Sequence, residues 1–246
     1  MVNGAAMFQR FFEDMQRHVP ALFGGRVLYV GANRHAPPTY VAALREAGCE
    51  IHLLEAYGEN VAYYETDAPD VFDSVTQGDV RALGYLVWTH EPAFDAVMWW
   101  HGPEHVAADE WPGVLANLET LAPLVVTGCP WGTWEQENVG GNPYETHQST
   151  IYPAALISLG YEVVLVGKAD LAGFIAAWKG ETGAPPRASW YYAKLATSHT
   201  FWLVSGDTRR ALRNAGELYR YGLYPVRVVS EDELEAIPVE GALCHS

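Results

Sequence analysis

The residues best suited to chemistry fall in four short segments, each placed behind a run that reads as a strand. Gly31 ends Val27-Leu28-Tyr29-Val30, and Glu55 ends Ile51-His52-Leu53-Leu54. Gly78-Asp79-Val80 closes a third run over 73–78, and His101-Gly102-Pro103-Glu104-His105 follows the apolar run Phe94 to Trp100. A glycine turn brings backbone N–H groups beside a ligand, and an acid about 20 residues further on accepts hydrogen bonds from ribose hydroxyls, the general plan of a nucleotide-binding crossover. The same unit also occurs in α/β proteins that bind no nucleotide, and here only one turn glycine, Gly31, is in place. Histidine titrates near neutrality, so His101 and His105 are the nearest candidates for a general base. His101 is the better one, since a structural hydrogen bond is the simpler role for His105. Glu104 reads as structural or as a cofactor contact, and Cys129 as core. The spacing of His101, His105 and His147 with Glu104 matches no standard metal site, so no metal is expected.

The elements that must position these groups follow from periodicity. Arg26 to Glu55 reads as strand, turn, helix and strand, with Pro37 and Pro38 in the helix's first turn, Tyr40, Val41, Leu44 and Ala47 at helical spacing, and Gly48 as its stop. Before it, Ala5 to Val19 is an amphipathic helix with Phe8, Phe11, Phe12 and Met15 on one face. After it come a short helix over Glu59 to Tyr64, a third strand over 73–78, a loop from Ala82 to Ala93, and a fourth strand, Phe94 to Trp100. The apolar character of that strand suits a central parallel position. A helix over Ala107 to Leu121, a strand over Pro123 to Cys129, a loop over Pro130 to Tyr144 and a helix over His147 to Leu159 continue the alternation. Tyr161 to Val166 and Gly173 to Trp178 are close enough to pair as an antiparallel hairpin. The expected fold is α/β: a mostly parallel seven-stranded sheet with helices on both faces, a closing antiparallel hairpin and a small C-terminal extension. Gly180-Glu-Thr-Gly-Ala-Pro-Pro186 divides residues 1–180 from an extension over 181–246. In that extension, strands are expected at Thr200–Val204 and Val226–Val229. Helices are expected at Thr208–Tyr221, capped by Asp207, and at Ser230–Ile237 with a capping box of Ser230 and Glu233.

Composition narrows the partners. The chain has 246 residues and a formal net charge of −15, which argues against a nucleic acid or an anionic membrane as the main partner. Its 49% hydrophobic content is that of a globular protein. The three cysteines, Cys49, Cys129 and Cys244, are widely spaced and odd in number, which suits a reducing cytoplasm rather than a disulfide framework. No signal-peptide pattern is visible, and no apolar run approaches the roughly 20 residues that span a bilayer. A soluble, cytoplasmic protein acting on a small molecule is expected. The sequence leaves the oligomeric state open, a homo-oligomer included.

Taken in order, the segments resemble the class I S-adenosylmethionine-dependent methyltransferases over Gly25 to Lys179. Val27-Leu28-Tyr29-Val30-Gly31 is similar to that family's first strand and glycine turn. Gly78-Asp79-Val80-Arg81-Ala82-Leu83 is similar to its adenine-binding segment. Phe94-Asp95-Ala96-Val97 with Glu104-His105-Val106 is similar to its fourth strand and following loop, and Leu159-Gly160-Tyr161-Glu162-Val163 to its link into the sixth strand. The resemblance implies S-adenosylmethionine as cofactor. Glu55 would hold the ribose, Asp79 and Val80 the adenine, and Gly31 and Asn33 the methionine end, with Trp100 a further contact and His101 the base. Trp88, Trp99, Trp100, Trp131 and Trp134 fall near the cleft and suit an apolar acceptor or the sulfonium. The departures are Tyr29, where the family usually carries an acid, and Asn33 and His35, where it carries glycines; His35 clears the cofactor's path only if the turn bulges outward. The implied activity is methyl transfer to a small or medium acceptor. Two alternatives are a catalytically inactive binding or assembly relative and an enzyme using another adenine nucleotide.

Overall fold

The computed structural model describes residues 15–35, 39–85, 94–130, 132, 134–168, 171–183, 190–195, 200–205, 208–212 and 226–239. Its framework is a sheet built from the short apolar runs. Strands β1 (Arg26–Val30), β2 (Glu50–Glu55), β3 (Ser74–Gln77), β4 (Ala96–Trp100), β5 (Leu124–Pro130), β6 (Glu162–Lys168) and β7 (Leu171–Gly180) pair in the order β3-β2-β1-β4-β5-β7-β6. All pairs are parallel except those of β7, which runs antiparallel to both β5 and β6. The seven-stranded α/β sheet with its closing hairpin is therefore present as the pattern implied.

Alternation along the strands gives the sheet two cores. In β1, Leu28 and Val30 join one core, Val27 and Tyr29 the other. Helix α1 (Thr39–Glu46) covers the second face with Tyr40, Val41 and Leu44, helped by Tyr64 of α2 (Gly58–Thr66). Helix α3 (Trp111–Leu121) covers the first with Trp111, Val114, Leu115 and Leu118, beside Leu156 of α4 (Pro153–Ser158). Leu28, Leu44, Leu53 and Leu118 are all but inaccessible to solvent, and each contributes about 1.5–3 kcal/mol relative to exposure.

Trp99 and Trp100 illustrate how the sheet accommodates bulk. As neighbours on β4 they enter opposite cores. Trp100 pairs in register with Gly128 of β5, where a Cβ atom would lie 2.4 Å from the indole ring. Trp99 lies against Gly102, where a Cβ would lie 1.9 Å from Nε1. The glycines are thus the space the two rings fill.

Residues 190–229 supply a second, four-stranded sheet in the order β10-β9-β8-β11, with β8 at Trp190–Leu195, β9 at Phe201–Ser205, β10 at Thr208–Ala211 and β11 at Val226–Val229. Tyr192, Phe201, Leu203 and Val226 on one face join the core beneath α4 and β6. Ala193 and Val204 on the other face pack against Leu234 of α5 (Glu231–Glu235). The capping box that starts α5 is formed: the Ser230 hydroxyl accepts from the Glu233 N–H at 3.2 Å, and Glu233 Oε2 accepts from the Ser230 N–H at 2.7 Å. Among the described residues no helix is long and apolar enough to cross a membrane.

Two expectations are corrected, and one strand is new. The helix over His147 to Leu159 is confined to α4, because Pro153 can only open a helix and keeps Tyr152 extended, at φ −123 and ψ 147. The start of the helix over Thr208 to Tyr221 is instead β10, paired antiparallel with β9 from Thr208↔Ser205 onward. The intervening Gly206-Asp207 is a hairpin-turn signature that outweighs helical spacing. Strand β8 was not assigned from sequence at all. Residues 15–18 are helical and Val19 is not; residues 5–14 of the expected N-terminal helix, and Pro37, Pro38, Trp88, Trp131, Asp207, residues 213–225 and Cys244, lie outside the described residues.

The Trp100–Gly128 contact yields a prediction. Trp100 is 3% exposed and hemmed in by the rings of Tyr40 at 5.1 Å and Phe174 at 5.0 Å. Gly128→Ala is expected to lower the unfolding free energy by about 1–3 kcal/mol through overpacking, read by denaturant titration.

Candidate functional site

The sheet order reverses between β1 and β4, since β1 is followed along the sheet by β2 on one side and β4 on the other. Ligands bind at such a switch point, outside the carboxyl ends of the strands. A cavity of about 630 Å³ opens there. Gly31, Asn33, Glu55, Asp79, Val80, Trp100 and His101 all line it. Four loops that are far apart in sequence are thereby gathered on one space.

Glu55 is the best-buried acid on the wall after Glu104, at 5% exposure. Its Oε2 accepts the Ala32 N–H at 2.7 Å and its Oε1 accepts the Tyr57 N–H at 2.7 Å. One bond ties the carboxylate to the β1 turn and the other to the entry of α2. Burial raises the carboxyl above its ordinary value, and the hydrogen bonds from Ala32, Tyr57 and Asn60 oppose that rise without cancelling it. An ionised carboxylate has about four lone-pair sites, so acceptor capacity remains after both backbone bonds.

The turn after β1 holds one glycine in a left-handed conformation, Gly31 at φ +79. Its N–H donates to Leu54 O at 2.9 Å, and a Cβ there would meet nothing within 4 Å. Beyond it, Asn33 Oδ1 accepts the His35 N–H at 2.8 Å. That local bond turns His35 outward: the residue is exposed, is not among those lining the cavity, and lies beside Gly140, whose Cβ would come 3.0 Å from its ring. Asn33 Nδ2 also donates to Glu145 Oε1 at 2.9 Å, which fastens the 134–147 segment across the turn. Tyr29, at the family's acidic position, is 2% exposed and its phenol is raised by burial and the neighbouring Tyr40 and Tyr64.

Asp79 is gripped by its own neighbour. Arg81 donates to it from Nε at 2.9 and 3.1 Å, from Nη2 at 2.6 Å and from the backbone at 2.9 Å. Burial pushes the carboxyl up, and these bonds outweigh it, leaving Asp79 below the ordinary range.

His101 is the one non-glycine residue with positive φ among the described residues, at +53. That region is strained for a side chain bearing a Cβ, by about 1–3 kcal/mol. The strain is held by its N–H donating to Gly128 O at 2.8 Å and by the ring resting 4.8 Å from that of Phe174. Nδ1 lies 3.3 Å from Glu104 Oε1, and the side chain is 53% exposed. Glu104 is 3% exposed. Cys129 is a free, buried thiol raised chiefly by burial and secondarily by Glu104. His105 Nδ1 lies 3.3 Å from Thr146 O, the structural bond expected of it.

Residues from the 134–147 segment also reach the cavity, namely Trp134, Gln136, Val139, Asn142, Tyr144, Glu145 and His147. Its position after the carboxyl end of the fifth strand placed the start of this loop near the cleft, but no periodic signal marked which of its side chains face inward.

No protein-family model matches this chain, and no curated protein matches it either. Among solved structures, a cyclopropane-fatty-acyl-phospholipid synthase-like protein from Lactobacillus casei ATCC 334 superposes with a TM-score of 0.51 at 13% identity, over 72% of this chain and 90% of its own. The chain has the class I methyltransferase fold. The strand order with its reversed β7 and that superposition agree on it. The N-terminal domain of EvdMO1, crystallised in the presence of S-adenosylhomocysteine and D-fucose, gives 0.48 at 18% identity, over 73% of this chain and 83% of its own. A structure provisionally assigned to Zn-dependent alcohol dehydrogenases, from Rhodobacter sphaeroides, gives 0.48 at 10% identity, over 65% of this chain and 85% of its own. Identities this low speak to the fold alone. Within the class I methyltransferase fold, the cavity occupies the switch point between β1 and β4.

Glu55 supplies the prediction here. A glutamine can accept through one oxygen only, so Glu55→Gln leaves one buried N–H facing an NH₂ group, at a cost of about 1–3 kcal/mol. Because the folded carboxyl is raised, the folded state holds its proton more tightly than the unfolded one. The titration's contribution to stability is complete below the unfolded value of about 4.3 and fades as pH rises through the folded value. Unfolding free energies measured from acid to neutral pH should show a wild-type advantage over Glu55→Gln that is largest at acid pH and shrinks on the way up.

Proposed function

We propose that this cavity binds S-adenosylmethionine and that the chain transfers its methyl group to a small or medium acceptor. The observation that carries the reading is the convergence of Gly31, Glu55, Asp79 and His101, from four separate loops, on one cavity at the switch point. Its volume of about 630 Å³ suits a nucleoside-sized ligand with room beside it. When bound, the cofactor supplies an already activated methyl sulfonium.

The chain's own residues then have limited tasks: alignment and exclusion of water. The unused lone pairs of Glu55 accept from ribose hydroxyls, which requires the carboxylate that the Ala32 and Tyr57 amides favour. Asp79, kept ionised by Arg81, accepts from the adenine amino group beside Val80. Gly31 and Asn33 border the methionine end, where the outward turn of His35 leaves space. Trp100 adds an aromatic wall. Trp134, Val139 and Tyr144, exposed by 36–39% at the rim, form an apolar lip for the acceptor. His101 stands over this space and takes a proton where the acceptor must lose one. Residues 1–180 make the catalytic unit in this reading, and 181–246 brace it through the second sheet.

A second reading, a binding or assembly protein without turnover, draws on the Asn33–Glu145 bond, which ties the glycine turn to the segment above it. Calorimetric titration with S-adenosylmethionine and S-adenosylhomocysteine separates the two. Micromolar binding weakened roughly 5–150-fold by Asp79→Ala, about 1–3 kcal/mol, is expected. Absence of binding at millimolar ligand refutes methyl transfer and leaves the fold untouched.

A further inference from the structure

We propose that Glu104, His105 and His147 form a binding site for a divalent first-row transition-metal ion on the wall of the cavity. The spacing of these residues in the sequence matches no standard metal site, and no metal was expected from it. In the fold, one ligand atom from each of the three lies within 4.8 Å of the others, the one such cluster among the described residues. All three side chains line the cavity.

The hydrogen bonds around the two imidazoles decide which nitrogen is available. His147 Nδ1 lies 2.7 Å from Trp134 O, and His105 Nδ1 lies 3.3 Å from Thr146 O. A backbone carbonyl can only accept, so each Nδ1 carries the proton and each Nε2 carries the lone pair. Histidine ligands are typically held this way, one ring nitrogen donating to a carbonyl or carboxylate while the other binds the metal. The rings are already in contact, with centroids 4.9 Å apart at 67°.

The third ligand is a buried carboxylate with an unanswered oxygen. Glu104 is 3% exposed, and its Oε2 has no hydrogen-bond partner. Leaving a buried charged acceptor unpaired is costly, and a cation removes that cost. His101 Nδ1 stands at 3.3 Å from the other oxygen, Oε1, so Oε2 is the oxygen left for an ion. Carboxylate plus two neutral imidazoles is a borderline donor set that suits zinc, iron, cobalt or manganese rather than calcium or magnesium.

The backbone holds the two contributing segments together on both sides of the cluster. Glu104 O accepts from the N–H groups of Gln148 at 2.8 Å and Ser149 at 3.2 Å, and Gln148 Nε2 donates to His105 O at 2.7 Å. Trp111 Nε1 donates to Pro103 O at 3.0 Å and fixes the turn that carries Glu104 and His105. An ion bound at about 2.0–2.2 Å from each donor needs them roughly 3–3.5 Å apart, so the set, now within 4.8 Å, draws together on binding. With three protein ligands, the ion keeps open positions. Resting on the methyl-transfer reading, those positions favour an acceptor with an oxygen or nitrogen donor near the methyl-receiving atom.

The test is ion binding alone, without S-adenosylmethionine, so its result is independent of the cofactor site. Chelator-stripped full-length chain is titrated with Zn²⁺ and Mn²⁺ by calorimetry and with Co²⁺ by visible absorption. His147→Ala, Glu104→Gln and, as a control histidine outside the cluster, His52→Ala are compared, with circular dichroism to verify folding. One ion per wild-type chain is expected, together with affinity about tenfold or more lower for His147→Ala and Glu104→Gln, and no change for His52→Ala. If Glu104→Gln does not fold, His147→Ala, at a half-buried position outside helix and strand, decides. No saturable binding by wild type, or binding that His147→Ala leaves intact, overturns the site.

Discussion

Glu55 sits where two opposing physical effects meet. Burial disfavours its charge, yet its two oxygens receive the amides of Ala32 and Tyr57, which favour it. The compromise fixes the ends of β1 and β2 relative to each other and sets the entry of α2. Everything on that side of the cavity inherits its position: the left-handed Gly31, the Asn33 turn that swings His35 outward, and through Asn33 the Glu145 end of the covering segment. The buried amide of Ala32 and the partly buried amide of Tyr57 would be left without an acceptor if the carboxylate were gone, so the turn would have to find a new conformation.

The opposite wall is organised by bulk and strain. Trp99 and Trp100 fill space left by Gly102 and Gly128, and the chain then leaves β4 through a left-handed His101. A β4 end held by two tryptophans in two different cores is rigid enough to keep that strained turn. The turn in turn sets Glu104 and His105 against the 146–149 segment by backbone bonds. Polar groups here are therefore positioned by packing several residues away, which is why a small change in the core would be felt at the site.

The second sheet shares this economy. One face closes the core over α4 and β6, and the other is covered by α5. Arg209 lies over Trp202 at 4.9 Å and Arg227 over Tyr191 at 4.2 Å, so part of the basic content of the C-terminal region serves cation–π contacts on the sheet.

The residues by themselves determined the alternation of strands and helices through residue 180. Apart from β3, whose Ser74-Val-Thr-Gln77 is mostly polar, the strands there are apolar runs with a glycine or proline boundary, and local signals of that kind survive folding. They also determined which loops carry Gly31, Glu55, Asp79 and His101, because strand ends are local features, and the Ser230–Glu233 capping box, which is closed within four residues. Tertiary structure alone decided the rest. The helical spacing after Thr208 lost to pairing with β9, and Tyr152-Pro153 cut short the helix read from His147, since a proline ring excludes helical backbone before it. Whether His35 obstructs the turn depended on one Asn33 bond. The meeting of His147 with Glu104 and His105 depended on long-range backbone bonds that no spacing encodes. Contacts between distant segments are set by which surfaces can be buried together, and only the folded chain expresses that.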